Sequence, residues 1–471
     1  MQQLPAAKDS HEPKRRFRSL AYDSPDDVIF GVAPNPVSAG FGLTIGEGAV
    51  LPEVDFTLPT MSIEPSTWNE VQHQYQEMSK GVLAKATQLG CSALALEFEH
   101  LYELTTHPEW GAEITRQMKS IIEEAHKRHG LRSALRVTVA DVREAERPPR
   151  MRTGEGFKKI LESMEKCATS GADILSIEST GGKELFDKAI MRGDVTAILY
   201  SLGVLACSDM RYLWRRVTDI TTRHNILAGG DSACAFANTA MQLAHQNYVP
   251  RVLAAFVRAV SAVRTLCAFE EGAVGPGKDC GYENPVIKII TGVPIAMEGK
   301  SAACAHSSPL GNIASAVCDL WTNESVQNVR LLGGQAPEVC TEMLIYDCRL
   351  MNTAHVLRQS KILRKLLIES DHYRDPQALF LDPDICFPLA KAIVSESDDY
   401  ARTLKAASFA CSTMRDVTNK NLLSTSAAES KWLDRIEKAL ASMPKTPEEL
   451  EPEIKKNWGQ TFVPEEYGLN T

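Results

Sequence analysis

Short apolar runs alternate with amphipathic helical stretches across residues 71–356, and this alternation constrains the fold more than any other feature. The run Ala93–Phe98, for example, precedes a stretch, Trp110–Arg128, in which apolar residues recur every three or four positions. Alternation of short strands and longer helices is typical of parallel β/α architecture. The length of the region suits one (β/α)8 barrel of the TIM type. A doubly wound sheet is the alternative, but no G-x-G-x-x-G fingerprint follows the early strands.

The same pattern predicts the remaining strands of the barrel. They are expected at Leu131–Ala140, Ala172–Glu178, Ile226–Gly229, Cys267–Phe269, Ile295–Met297 and Val329–Leu332. One more strand is expected within Gly203–Cys207. Residues 1–70, which are rich in glycine and proline, are expected to form an N-terminal arm and a segment that covers the barrel. Residues 357–471 change to helices only and are expected to form a helical C-terminal region.

Charge and composition exclude several classes of function. A net charge of −9 over 471 residues argues against a general affinity for nucleic acid or for anionic membranes. The basic cluster Lys14–Arg18 is interpreted as a solvated arm. Nothing near the start resembles the apolar region of a signal peptide, and the apolar run Ala197–Ser208 is too short to span a bilayer. We therefore expect a cytoplasmic protein that binds neither nucleic acid nor membrane.

The twelve cysteines indicate free thiols in a reducing compartment, because no secretory signal accompanies them. Most are expected to be buried and to behave as small apolar side chains. The sequence has no C-x-x-C pair. A metal site would therefore have to collect its thiolates from distant loops.

A glycine-rich stretch at 272–284, GAVGPGKDCGYEN, holds four glycines, a proline and the thiol of Cys280. Glycine at this density lets the backbone turn sharply and approach a bound group closely. The stretch opens like a phosphate-binding loop, but Asp279 stands where that motif needs a hydroxyl for magnesium. A carboxylate there would repel phosphate, so nucleotide binding is an unfavoured alternative and Cys280 is the informative residue.

Three side chains able to bind a metal follow expected strands, which is where the chemistry of such barrels lies. Glu178 ends one strand, Cys234 comes just after ILAGGDSA, and Cys280 lies in the glycine-rich stretch. Two thiolates and one carboxylate from separate loops would leave a fourth position open, which is the format of a catalytic zinc site. Spacing alone leaves the alternative open that these are three unrelated loop residues.

Long motifs distributed over the chain carry a family resemblance. They are ESTGGKE (178–184), AGGDSACAFANTAM (228–241), GAVGPGKDCGYEN (272–284), MEGK (297–300), CAHSSPLGN (304–312), WTNES (321–325) and YDCRLMNTA (346–354). Together they resemble the zinc-binding methyltransferase subunit of methanol–corrinoid methyltransferases, from about Phe30 to the C-terminal EEYG. The resemblance implies a (β/α)8 barrel with zinc on one glutamate and two cysteines, which correspond to Glu178, Cys234 and Cys280.

The resemblance also implies a partner and a reaction. The partner is a small corrinoid-binding protein that docks over the barrel mouth, and the expected assembly has a homodimer core. The expected reaction transfers the methyl group of methanol to the Co(I) of that corrinoid, with zinc as Lewis acid at the departing oxygen. Two alternatives stay open: zinc-dependent transfer from a methylated thiol or amine, and a scaffold that anchors the corrinoid protein.

Zinc with three anionic ligands is a weaker Lewis acid than zinc held by neutral histidines. We therefore expect a proton donor or a hydrogen bond that helps the oxygen to depart. The candidates are carboxylates at the ends of strands, namely Glu97, Glu99 and Asp231. The alternative is that these carboxylates orient loop backbone or pair with arginine or lysine.

Overall fold

The structure is a computed structural model that describes residues 13–469 except 59–60, 301–308, 327–329 and 332–333. Part of the motif CAHSSPLGN therefore lies outside the described residues. The strands are β1 Val32–Ala39, β2 Leu43–Glu47, β3 Leu51–Thr57, β4 Ala93–Glu99, β5 Arg132–Val139, β6 Ile174–Ile177, β7 Leu227–Asp231, β8 Ala296–Glu298, β9 Leu320–Val326, β10 Arg330–Leu331 and β11 Gly334–Gln335.

The helices lie mostly between and after these strands. They are α1 Trp68–Gln88, α2 Tyr102–Thr106, α3 Pro108–His129, α4 Glu155–Ser170, α5 Lys183–Arg192, α6 Val195–Tyr200, α7 Cys207–His224, α8 Cys234–His245, α9 Arg251–Glu270, α10 Asn284–Thr291, α11 Ala336–Val356, α12 Ser360–Asp371, α13 Pro383–Val394, α14 Asp399–Asn419, α15 Ala427–Ser442 and α16 Glu451–Trp458. In the C-terminal region α13 packs on α10, and α14 and α15 pack on α9.

One parallel sheet of seven strands forms the barrel, in the order β7-β6-β5-β4-β3-β9-β8. The first and last of these strands in the chain, β3 and β9, pair in parallel along their length, starting with Leu51 opposite Leu320. We call the end where the strands begin the floor and the end where they finish the mouth. Leu43 and Ile45 of the β1–β2 hairpin pack on small strand residues such as Ala95 and Ala134 and close the floor.

The glycine-rich stretch fills the remaining position of the barrel wall, between β7 and β8. The Val274 amide donates a hydrogen bond to the Ala228 carbonyl of β7 (2.8 Å), and Gly277 forms a parallel bridge with Ile295 beside β8. The wall thus consists of seven strands and one glycine-rich segment. The predicted TIM-type barrel is confirmed, with this segment in place of one strand.

The predicted strand Cys267–Phe269 is wrong, since these residues lie inside α9. This helix is buried on all sides, so apolar residues occupy every face and the helical period disappears from the sequence. By length and composition α9 could cross a membrane, but its most apolar window is entirely buried inside the molecule. It is a core helix of the described structure.

Two further expected strands differ from the structure. Gly203–Cys207 does not form a strand, because Ser201–Ala206 is a π-helical turn that joins α6 to α7. Of Val329–Leu332, the described residues Arg330–Leu331 form the two-residue strand β10, which pairs with β11 outside the barrel sheet. The barrel instead contains β3, which lies within the segment expected to cover it, and β9.

Candidate functional site

Glu178, Cys234 and Cys280 lie at the mouth of the barrel, after three adjacent positions of its wall. Glu178 directly follows β6, Cys234 opens α8 after β7, and Cys280 follows the glycine-rich segment that lies between β7 and β8. Because parallel strands end at the same edge of the sheet, these residues meet there. One donor atom from each of the three side chains lies within 4.8 Å of the other two.

The three donor groups contact one another and a few polar neighbours. The Cys280 thiol donates to Glu178 Oε1 and lies 3.1 Å from Ser232 Oγ. The Asn238 side-chain amide donates to Cys234 Sγ over 3.1 Å. The Glu178 side chain is 25% exposed, so solvent reaches the cluster along this side chain.

Each of the three groups resists ionisation on its own. The pKa of Cys234 is about 11: its hydrogen bond with Cys280 lowers the pKa, but burial and the Glu178 carboxylate raise it more. Burial raises the pKa of Cys280 well above its usual value, and Cys234 adds to the rise. Burial also raises the pKa of Glu178, against the attraction of Lys278. Three anions this close need a cation to ionise together, and a divalent metal ion meets that need.

Hydrogen bonds along its backbone fix the loop 178–182, which carries Glu178. The Ser179 amide donates to Asp231 Oδ1 (3.1 Å), and the Thr180 amide donates to Asp141 Oδ2 (2.8 Å). A side chain at Gly181 would collide with the carboxylate of Asp209. The loop is thus held at Ser179 and Thr180.

Asp231, one of the expected proton donors, is fully buried behind this loop. Its Oδ1 accepts from the Ser179 amide and from Arg264 (3.1 Å), and its Oδ2 accepts from the Trp214 indole (3.0 Å). Through these hydrogen bonds Asp231 positions the loop of Glu178. A contact between Asp231 and substrate stays a prediction, and none of these hydrogen bonds supports it.

A buried cluster of three carboxyl groups lies below the mouth, inside the barrel. It consists of Asp55 of β3, Glu97 of β4 and Asp279, with one oxygen of each within 4.8 Å of the others. Lys278 Nζ lies 3.0 Å from Glu97 Oε1 and 3.6 Å from Glu178 Oε1, and it also pairs with Asp279. Lys278 therefore joins the cluster to Glu178, and its charge is engaged by carboxylates rather than free for phosphate.

Glu97 and Asp55 both hold their protons unusually tightly. Burial raises the pKa of Glu97 to about 8, although Lys278 opposes the rise. Burial raises the pKa of Asp55 well above its usual value, and the carboxylate of Glu99 at the end of β4 adds to the rise. Glu97 Oε2 and Asp55 Oδ1 are buried with no hydrogen-bond partner among the described residues. At neutral pH Glu97 therefore retains its proton beside Lys278.

Sequence reasoning missed the polar groups inside the barrel. Arg136 of β5 is fully buried and donates to Glu53 Oε1 (2.8 Å) and to the carbonyls of Pro276 (3.1 Å) and Gly277 (3.3 Å). It thereby anchors the glycine-rich segment to the opposite wall. The available signal was a polar residue at every second position of a strand, such as Glu53 and Asp55 in LPEVDF.

Three comparisons connect this geometry to known proteins. The family model for the methanol-cobalamin methyltransferase B subunit, MtaB, matches residues 14–468. The methanol–corrinoid protein co-methyltransferase of Methanosarcina barkeri (strain Fusaro / DSM 804) is 39% identical over 462 residues, which cover 97% of this chain and 99% of that protein. A chain in the crystal structure of the methanol:cobalamin methyltransferase complex MtaBC from Methanosarcina barkeri aligns with a TM-score of 0.91 and 38% identity, covering 97% of this chain and all of that chain. This chain belongs to the family of methanol-cobalamin methyltransferase B subunits.

Proposed function

We propose that this methyltransferase transfers the methyl group of methanol to the Co(I) of a corrinoid on a partner protein, with zinc held by Glu178, Cys234 and Cys280. The observation that carries the proposal is the convergence of these donors from three loops at one end of the barrel. Two sulfurs, one carboxylate and an open position match a catalytic zinc site. When bound, zinc acts as a Lewis acid that stabilises negative charge on the departing oxygen.

The transfer requires a proton as well as a methyl acceptor. The C–O bond of methanol breaks, a C–Co bond forms, and cobalt goes from Co(I) to Co(III). The oxygen leaves as water only if it gains one proton. Lys278 Nζ, 3.6 Å from Glu178 Oε1, is the nearest described cation that could donate it, and Glu97, 3.0 Å from the same nitrogen, would restore it. These contacts support Glu97 better than Asp231 as the proton donor.

The partner has to dock over the mouth, because cobalt must approach the methyl carbon from the side opposite the departing oxygen. The similar chain belongs to a methanol:cobalamin methyltransferase complex, which supports a corrinoid-carrying partner.

The described cysteines are all free, which supports a reducing, cytoplasmic setting.

We propose that a second copy of the chain covers one face of α11. Met343, Tyr346, Leu350 and Leu357 follow one another at intervals of three, four and seven residues and are 47–63% exposed. This is the spacing of a seam between two helices. Val356 at the end of α11 and Ile362 and Leu366 on α12 are also 59–79% exposed.

The position of this seam favours a second copy over the corrinoid partner. α11 ends beside the floor, where Asn352 hydrogen-bonds to both backbone groups of Val50 (2.8 and 2.9 Å) just before β3. A partner seated on the mouth would leave that end uncovered. A straight apolar seam can pair with its own copy about a two-fold axis.

Methyl transfer by the chain purified without oxygen tests the function. With methanol and reduced cobalamin, we expect methylcobalamin to form and about one zinc ion per chain to be present. Cys280→Ser should lose both zinc and turnover. Methylated thiols or amines that react while methanol is inert would support the alternative substrates. Full turnover by zinc-free protein would overturn the zinc site, and partner binding with no transfer would support the scaffold.

A further inference from the structure

We infer that residues 462–469, here called the strap, position the loop of Glu178 for its metal, with Tyr467 and Glu466 as the two positioning residues. The inference rests on the proposed zinc function, because it concerns how firmly the carboxylate ligand is held. The strap is far from Glu178 in the chain but adjacent to its loop in the fold.

Tyr467 acts directly on the end of that loop. Its hydroxyl accepts from the Gly182 amide (2.8 Å) and donates to Glu184 Oε1 (2.5 Å), and its side chain is buried. Gly182, with φ of +89°, is the last residue before α5, and its carbonyl accepts from Ser201 Oγ (2.7 Å). Both polar backbone groups of Gly182 are thus held, and Tyr467 holds the amide.

Glu466 acts on the neighbouring loop, between β5 and α4. One of its carboxylate oxygens accepts from the amides of Arg152 (2.6 Å) and Thr153 (3.1 Å), and the other accepts from the Thr153 hydroxyl. The same loop contains Asp141, which accepts from both the amide and the hydroxyl of Thr180 (2.8 and 3.1 Å). The strap therefore supports the loop of Glu178 directly at Gly182, and it also holds residues 152–153 of the loop that contains Asp141.

Contacts of its own seat the strap independently of the donor groups. The Tyr467 carbonyl accepts from Ser208 Oγ (2.5 Å), and the Phe462 ring lies against the Tyr200 ring of α6 with centroids 6.5 Å apart. Gly468 has a φ of +72°, and a side chain there would press against the guanidinium of Arg152. The strap can thus orient the loop whether or not a metal ion is bound.

The affinity of a site for zinc depends on how its ligands are positioned. Zinc–oxygen bonds are about 2.0–2.2 Å long, and a workable site keeps its distances within about 0.2 Å of that value. Removal of the Tyr467 hydroxyl would leave the buried Gly182 amide without its partner, which favours a shifted loop. Groups that orient metal ligands typically change metal affinity about 10- to 100-fold when they are removed.

Tyr467→Phe and Glu466→Gln test the inference, with Tyr400→Phe as the matched control. Tyr400 is also buried in the C-terminal region, but its hydroxyl donates to the Pro444 carbonyl (3.1 Å). Zinc affinity is measured by competition with a chelator, and the visible spectrum of the Co(II)-substituted full chain reports ligand geometry. We expect about tenfold weaker zinc binding and altered thiolate–Co(II) bands in both strap variants, and unchanged values in Tyr400→Phe.

The possible outcomes distinguish failure of the inference about the strap from failure of the proposed zinc function. Wild-type zinc affinity and Co(II) spectra in both strap variants would overturn the inference and leave the zinc function intact. A wild-type chain that binds no zinc would overturn the proposed function itself. Should Tyr467→Phe fail to fold, Glu466→Gln, which keeps the size of the side chain, decides the matter.

Discussion

At the scale of single residues, Cys234 and Cys280 have different surroundings from the other cysteines that the structure describes. Cys386 is typical of a core thiol, since it is fully buried and donates to the Phe380 carbonyl (3.1 Å). Cys234 is half-buried and receives a hydrogen bond from Asn238, and Cys280 donates to a carboxylate. A sulfur that accepts a hydrogen bond from an amide, beside a second sulfur that faces a carboxylate, is arranged for a metal rather than for packing.

Replacement of one sulfur at the mouth should remove the metal. We expect Cys234→Ser to retain less than about one tenth of the wild-type zinc, because the hydroxyl of serine is a much poorer zinc ligand than a thiolate. Cys386→Ser is the control and should retain zinc, although it loses some stability. Metal content per chain after oxygen-free gel filtration is the measurement. Equal zinc in Cys234→Ser and the wild type would contradict the assignment.

The raised pKa of Glu97 predicts how the rate depends on pH. If its proton restores Lys278, methyl transfer should be fastest below the pKa of about 8 and fall as the pH rises through it. Glu97→Gln should be slower at pH 7 and lack this decline. Single-turnover rates from pH 6 to 9.5 check the expectation, with the exposed Glu155→Gln as control. Parallel profiles for wild type and Glu97→Gln would count against the relay.

The raised pKa of Glu97 also makes the stability of the folded protein depend on pH. Because the folded pKa of Glu97 is raised from 4.5 to about 8, the folded state binds this proton more tightly than the unfolded chain does. The resulting stabilisation is complete below about pH 4.5 and is lost as the pH rises towards 8. Glu97→Gln removes this dependence, so its melting temperature should fall less than that of the wild type between pH 5 and pH 9. An identical fall would show that Glu97 ionises normally.

Among the elements, the glycine-rich segment occupies a strand position in the barrel wall, although its sequence is not that of a strand. Gly275 has a φ of +85°, and a Cβ there would lie 2.8 Å from the Pro294 carbonyl oxygen. Gly277 lies so close to Asn284 that a side chain would press on its amide group. Only glycine lets this backbone lie in the wall while Arg136 binds its carbonyls. The segment therefore delivers Cys280 to the mouth from a strand position.

Gly275→Ala measures how tightly this element is packed. The positive φ should cost about 1–2 kcal/mol, and the clash with backbone should add to that. Gly90→Ala is the matched control, because Gly90 has a φ of +68° but no described heavy atom lies within 4 Å of its added Cβ. Chemical denaturation should show a larger loss for Gly275→Ala. Equal losses of stability in the two variants would mean that the glycine-rich segment shifts to accommodate the added methyl group.

The elements also show what the sequence can and cannot predict. β4, β5 and β6 were predictable because each lies between two helical stretches and contains several apolar residues that the core buries. β3 was missed because Glu53 and Asp55 interrupt its run, and their burial depends on Arg136 and Lys278, which lie far away in the chain. The strand assigned before Cys280 is helix, yet the expected place of Cys280 at the mouth holds, because the glycine-rich segment itself takes the strand position. Ion pairs between distant residues leave little trace in local patterns.

On the scale of the whole molecule, the proposed functions of the mouth and of the seam on α11 assign these two surfaces to two kinds of partner. The mouth has the donor groups and charged residues of a reaction site, and the floor is closed by the β1–β2 hairpin. The seam runs along the outside of the barrel and ends beside the floor. A dimer formed through the seam would leave both mouths open, so two corrinoid partners could dock at once.

The assembly itself is the most direct test of this division. We expect the wild type to sediment at about twice the 51.8 kDa of one chain. Leu350→Glu should shift it to monomer at micromolar concentration, because a carboxylate in the middle of an apolar seam is buried without a partner, once on each copy. Met191→Glu, at an apolar residue on α5 that is 59% exposed, is the control and should remain dimeric. Analytical ultracentrifugation over a range of concentrations decides, with zinc content as a check that the monomer is folded. A dimeric Leu350→Glu would place the interface elsewhere, and a monomeric wild type would refute self-association.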